Sequence, residues 1–331
     1  RSDANDILSC IQSLEKGDPC DIDWLLRTTE EWCKQRAVTI AIVKSISIID
    51  GKDKKHSEGA ILDILSKALA VSFDTNIGHD YLENVDERYD FYHLQEDKTP
   101  FDIELLNTIT KGGVSRKTLN IVLAGTGVGK SLAMCHFAAD NLRQGKNVLY
   151  ITLEMAEEKI AERIDANLLD VQIDQIENLP RDLFKTKVSK IQEKTQGKLI
   201  IKEYPTATAH VGHFRALLDE LRMKKDFAPD AIYIDYLNIS ASSRMKGLGG
   251  SINTYSYIKA IAEELRGLAV EFNVPIWSAT QVTRSGFGNT DVELTDTSES
   301  FGLPATADLM FALISTEKLE GMNQLMVKQL K

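Results

Sequence analysis

Residues Ala124 to Ser131 read Ala-Gly-Thr-Gly-Val-Gly-Lys-Ser, directly after the apolar run Leu119-Asn120-Ile121-Val122-Leu123 and directly before Leu132-Ala133-Met134. A strand turning here through glycines into a helix reads as a phosphate-binding loop rather than as a glycine-rich turn that binds nothing. Backbone N–H groups crowd around a triphosphate, a lysine gives the β- and γ-phosphates a point charge, and the next hydroxyl is placed for Mg²⁺. The nucleotide-contacting set is Thr126, Gly127, Val128, Gly129, Lys130, Ser131 and Leu132, with Ser131 also a metal ligand. Ala124 stands where the common pattern has Gly, a mild departure because the later glycines make the close approach.

Three further polar residues end apolar runs. Asp235 closes Ala231-Ile232-Tyr233-Ile234, about a hundred residues after the loop, where a carboxylate helps hold Mg²⁺. Glu154 follows the run Val148 to Leu153 and precedes a helix expected over Glu157 to Leu169. It suits a base that orients and deprotonates water, and equally an acidic helix-start residue favoured by the dipole. Gln281 ends the run Val274 to Thr280; it suits a γ-phosphate sensor, and equally a satisfied loop amide.

Two loops follow such ends. Ser240 to Gly250 reads as mobile and basic, and Arg284 to Asn289 as a second flexible basic segment. Arg244, Lys246 and Arg284 offer charge to a phosphate chain. Composition alone favours solvated loops. His210 and His213 lack a third ligand and read as surface histidines near a helix start; Cys135 and His136 read as packing on the loop helix.

The elements that must position these residues begin near Thr99, where short apolar runs alternate with helical segments. Strands are expected at Leu119–Ala124, Asn147–Leu153, Leu199–Glu203, Ala231–Asp235, Pro275–Thr280 and Leu309–Ile314, and a helix at Tyr257–Phe272. Runs apolar on both faces suit parallel strands covered by helices on both sides, so the fold class is α/β with ligands at the carboxyl ends of the strands. Before that, Asp21 to Ile49 carries apolar residues at three- and four-residue intervals, suiting one or two amphipathic helices. Ile61 to Leu69 is a short helix that must dock on its own domain or on a neighbouring subunit. The expected domains are a small all-α segment over 1–57, a linker helix and linker over 58–98, and the α/β domain over 99–331.

The chain has 331 residues, 43% of them hydrophobic, enough for one large domain and an appendage. Its net charge of −10 argues against a nucleic-acid partner until it is divided. Residues 1–100 carry 12 basic and 20 acidic side chains, and the rest 27 and 29, so the α/β part is nearly neutral and a basic channel is allowed there. No run is long and apolar enough for a membrane span, the first residues are too polar for a signal peptide, and Cys10, Cys20, Cys33 and Cys135 lack metal spacing. These features point to free thiols and the cytoplasm, with no membrane partner. The sequence lacks an initiator Met and stops at Lys331 in mid-pattern, which points to a fragment.

In order and spacing these motifs resemble the DnaB-type hexameric replicative helicases with a RecA-like core, especially those of T-even-type bacteriophages. The likeness rests on Gly127-Val128-Gly129-Lys130-Ser131, Tyr150 to Glu158, Arg163-Ile164-Asp165-Ala166-Asn167, Asp235-Tyr236-Leu237, Lys259 to Arg266 and Gly302 to Asp308. It implies Glu154 as catalytic base, Lys130 and Gln281 as catalytic partners with Gln281 the γ-phosphate sensor, and Asp235 as the Mg²⁺ carboxylate. It also implies a single-strand-contacting loop over Asp296 to Phe301, with Glu299, Ser300 and Phe301 near the DNA, and Ile61 to Leu69 as a linker helix on the adjacent subunit. Primase and a helicase loader are implied partners. The family's Lys-x-Arg element on a late strand, whose Arg acts on the neighbour's γ-phosphate, corresponds to Lys331 with the Arg missing, which implies weak hydrolysis by this chain alone.

The reading is a ring-shaped motor that hydrolyses ATP, with GTP left open, and draws single-stranded DNA 5′ to 3′ through its centre to unwind duplex. The alternative is a RecA-like ATP-dependent strand-binding or switch protein without unwinding. A metabolic kinase fits less well, since no second substrate constellation stands out.

Overall fold

The computed structural model describes residues 22–53, 59–69, 71, 81–82, 85–93, 97–244, 254–282 and 302–331. The chain forms two compact units, 1–94 and 95–331.

In the first unit, Ile22–Ile49 is a single 28-residue helix (α1), followed by α2 (Ala60–Leu69) and α3 (Val85–His93). Ala41, Ser45 and Ile48, three and four residues apart, are buried on α1, and α2 packs against α1 with Ala68 buried. Leu62 and Leu69 of the short helix remain exposed.

The second unit is built on a seven-stranded sheet. Its elements are α4 (Glu104–Thr110), β1 (Leu119–Ala124), α5 (Lys130–Arg143), β2 (Val148–Thr152), α6 (Glu157–Leu169), α7 (Ile173–Ile176), α8 (Arg181–Gln192), β3 (Leu199–Glu203), α9 (Val211–Lys225), β4 (Ala231–Asp235), α10 (Thr254–Phe272), β5 (Ile276–Gln281), α11 (Gly302–Thr306), β6 (Leu309–Ile314), α12 (Glu317–Glu320) and β7 (Met326–Gln329). The strand order is β3-β2-β4-β5-β1-β6-β7, parallel except for β7, which runs antiparallel on β6. Alternation along β1 explains why it is apolar throughout. Leu119, Ile121 and Leu123 face the layer holding Phe214 and Leu218 of α9 and Ile261 and Leu265 of α10. Val122 and Ala124 face Met134 and Phe137 of α5 and Ile160 and Ile164 of α6. The expected α/β class and all six expected strands are present, with β2 one residue shorter at each end and Gln281 inside β5.

Trp277 on β5 is 2% exposed and centres an aromatic cluster, its ring 5.2 Å from Phe137, 5.8 Å from Phe101 and 6.1 Å from Phe311. Truncating it removes a large packed volume that its neighbours cannot refill. Trp277→Ala is expected to cost about 3–5 kcal/mol of unfolding free energy, measured by urea titration of the circular dichroism; a loss below about 1 kcal/mol contradicts the packing described here.

The segment entering this unit is strapped to α5. Thr99 and Val114 form an antiparallel bridge, and Gly113 sits at φ 125° so close to Thr99 that an added Cβ would run into its carbonyl. The Gln144 side-chain amide donates to the Pro100 carbonyl at 2.9 Å, and the Asp102 amide to the Asp140 carboxylate at 3.1 Å. His136 does more than pack: its Nε2 lies 2.9 Å from the Asp102 carboxylate and its Nδ1 2.8 Å from the Asn167 amide.

Candidate nucleotide site

The strand order decides what can meet. Neighbours β2, β4, β5 and β1 bring Glu154, Asp235, Gln281 and the glycine loop to one carboxyl edge, with Thr152 opposite Asp235 and Ala124 opposite Gln281. Such an edge is where open α/β sheets bind ligands.

In the loop, Gly127 has φ 80° and Gly129 φ 120°, conformations that side-chain-bearing residues rarely adopt, yet a Cβ at either would meet nothing within 4 Å. The glycines are therefore needed for the backbone path, and the space over them is open. Helix α5 starts at Lys130 with no side-chain cap, so its first N–H groups are available to an anion. Lys130 is only 7% exposed, and its Nζ stands 5.1 Å from the centroid of the Tyr236 ring.

Asp235 is wholly buried. Tyr150 donates its hydroxyl to Oδ2 at 3.0 Å. Burial pushes the pKa of Asp235 up, against the pull of Ser131 and Tyr150 and of the positive Lys130 and Arg163. Oδ1 is buried without any hydrogen-bond partner. An orphaned carboxylate oxygen beside a serine hydroxyl at the start of a phosphate-loop helix fits a hard divalent cation such as Mg²⁺. Behind it, Cys135 donates its thiol to the Tyr150 oxygen at 3.8 Å; burial raises that thiol to about 12, leaving it inert.

Glu154 is exposed at the mouth, and its charge acts on the Tyr236 phenol. Gln281 is half-buried, with Nε2 donating to the Tyr236 hydroxyl at 3.5 Å. The expected set of Lys130, Ser131, Glu154, Asp235 and Gln281 thus shares one edge. Sequence reasoning assigned no role to Tyr150 or Tyr236. The signal for Tyr236 was its place directly after a strand-end carboxylate; Tyr150 lies in the middle of an apolar run, where nothing marks a hydroxyl aimed at another strand.

The loop expected to be mobile from Ser240 is tightly held at its start. Glu264 of α10 accepts from the Ser242 hydroxyl at 2.7 Å, the Ser243 amide at 3.0 Å and the Arg244 amide at 3.2 Å. Despite its burial, these bonds hold Glu264 below the usual carboxylate range. Arg244 is itself paired with Glu263 at 2.9 Å, so its charge is partly offset. Lys246, Arg284, Glu299, Ser300 and Phe301 lie outside the described residues. His210 caps α9, accepting from the Gly212 amide at 3.0 Å. Among the described residues there is no His, Cys, Asp and Glu cluster suited to a metal, and no helix is long and apolar enough to cross a membrane.

Residues 100–329 match the family model of the DnaB-like helicase C-terminal domain. The chain is 46% identical over 324 residues to the DnaB-like replicative helicase of Enterobacteria phage T4, covering 95% of this chain and 68% of that protein. It is 26% identical over 205 residues to the replicative DNA helicase DnaB of Helicobacter pylori (strain ATCC 700392 / 26695), covering 61% and 40%. Among solved structures, a DnaB-like replicative helicase described with its primase interactions superposes at TM-score 0.56 and 18% identity, covering 89% of this chain and 70% of that one. An ATPase domain superposes at TM-score 0.60 and 15% identity, covering 76% and 92%, and shares the RecA-like fold. The chain belongs to the DnaB-like replicative helicases, ATP-driven enzymes that unwind DNA.

Proposed function

We propose that this edge binds Mg²⁺·ATP, with GTP left open, and cleaves it. The supporting observation is the convergence of the Lys130 loop with Glu154, Gln281 and an Asp235 that keeps one oxygen unpartnered. The uncapped amides of α5 and the Lys130 ammonium hold the β- and γ-phosphates; Asp235 and Ser131 would hold the metal, which neutralises phosphate charge. Glu154 at the open mouth takes the proton of the attacking water, and Gln281 reads whether a terminal phosphate is present.

Hydrolysis drives single-stranded DNA through a hexameric ring of this chain in the 5′ to 3′ direction, with Lys246, Arg284, Glu299, Ser300 and Phe301 on the DNA path and Arg244 at the anchored stem beside it. Residues 1–57 form a helical amino-terminal part, 58–98 the linker and its helix, and 99–331 the motor. Primase and a helicase loader are partners at the fork, in the cytoplasm of a phage-infected host cell.

Lys130→Ala is expected to lower DNA-stimulated ATP turnover by about 10²- to 10³-fold, read by phosphate release. A variant within threefold of the parent refutes the site. A chain that hydrolyses ATP yet fails to displace a strand from a forked duplex supports the strand-binding alternative instead.

A further inference from the structure

Tyr236 follows Asp235 at the end of β4, between the ends of β2 and β5, where Glu154 and Gln281 stand. Its ring lies against Lys130, with Nζ 5.1 Å from the centroid, and its hydroxyl accepts from Gln281 Nε2 at 3.5 Å. Burial, and then the negative charges of Glu154 and Asp235, push the phenol up, so it stays protonated at neutral pH with the Glu154 carboxylate in electrostatic reach.

A phenol has one proton to give and lone pairs to accept with. Accepting from Gln281 leaves the Tyr236 proton free to donate elsewhere. A half-buried hydroxyl at a site mouth does not need the Gln281 amide for solvation, since water would serve it as well. The bond therefore fixes the amide more than it stabilises the fold.

We propose that Tyr236 is a positioning residue of the nucleotide site, its hydroxyl holding the Gln281 amide in the pose that recognises a terminal phosphate. This rests on the nucleotide-site reading above and deepens it: Gln281 alone is a mobile amide, and the pair is a detector that distinguishes a triphosphate from a diphosphate.

The test is a double-mutant cycle on the full chain with Mg²⁺, measuring affinity for ADP and for a non-hydrolysable ATP analogue by competition with a fluorescent nucleotide. The parent should prefer the triphosphate. Tyr236→Phe should lower that preference about three- to tenfold, the worth of one lost hydrogen bond, while ADP affinity stays within twofold and so reports an intact fold. Gln281→Ala should lower it similarly, and Tyr236→Phe/Gln281→Ala no further than Gln281→Ala alone, because the two act as one unit. An unchanged preference in Tyr236→Phe, or a double variant whose loss is the product of the two single losses, overturns this proposal and leaves the nucleotide site standing. A parent that binds neither nucleotide refutes the nucleotide site, and this proposal with it.

Discussion

Replacing Glu154 with Gln is expected to lower ATP turnover by about 10²- to 10⁴-fold, the usual worth of a positioned general base, with nucleotide affinity changed by no more than a few-fold. The separation follows from where the side chain sits. Glu154 is exposed at the mouth rather than packed in the core, so the amide removes the proton acceptor while leaving the Lys130 loop and Asp235 untouched. Stability should stay within about 0.5 kcal/mol of the parent, as for other exposed substitutions. Phosphate-release kinetics beside fluorescent-nucleotide titration measure both halves. Turnover within threefold of the parent would return Glu154 to the helix-start reading and place the base elsewhere.

Asp235→Asn is expected to act in opposite directions on stability and on activity. Its pKa is raised by burial, so the fold favours the protonated carboxyl. That contribution is complete below the unfolded value of about 4 and is lost as pH rises through the folded value. At neutral pH the buried, half-partnered charge is a net cost. The neutral amide should therefore raise the metal-free thermal midpoint at pH 7 by a few degrees, with the advantage vanishing toward acid pH. Mg²⁺·nucleotide should reverse the order: at 100 times its dissociation constant a ligand adds about 2.7 kcal/mol, which the parent gains and the variant does not. Turnover should fall by about 10²-fold or more. Thermal melts with and without Mg²⁺·nucleotide, at pH 4 and pH 7, decide it. A variant less stable than the parent without metal at pH 7 would mean that Ser131 and Tyr150 already satisfy the charge.

The sheet was legible because its strands are covered on both faces. Ala231–Asp235 and Leu309–Ile314 show that as unbroken apolar runs, and their ends mark the site edge. β7 did not stand out in the residue pattern: Met326–Gln329 is mostly exposed on the sheet's rim, and its pairing with β6 defines it. A helix start was expected near His210 and His213, and the structure adds what the pattern did not show, a histidine cap on α9. Side chains that support Asp235 from another strand were hidden for a different reason. Nothing in the spacing of Tyr150 and Asp235 along the chain, 85 residues apart, says that β2 and β4 are neighbours. The anchored stem at Ser242 was misjudged because serines and an arginine look like solvated loop until the carboxylate of Glu264 is seen beneath them.

The strap over Thr99 to Asp102 has a mechanical corollary. It is fastened along the helix that begins at Lys130, through His136, Asp140 and Gln144, and Phe101 is wedged on Phe137. A tug on the chain at Thr99 is therefore borne by that helix as a rod, whose opposite tip carries the Lys130 loop proposed to hold the nucleotide. Tension at one end and the proposed grip at the other are two loads on a single beam.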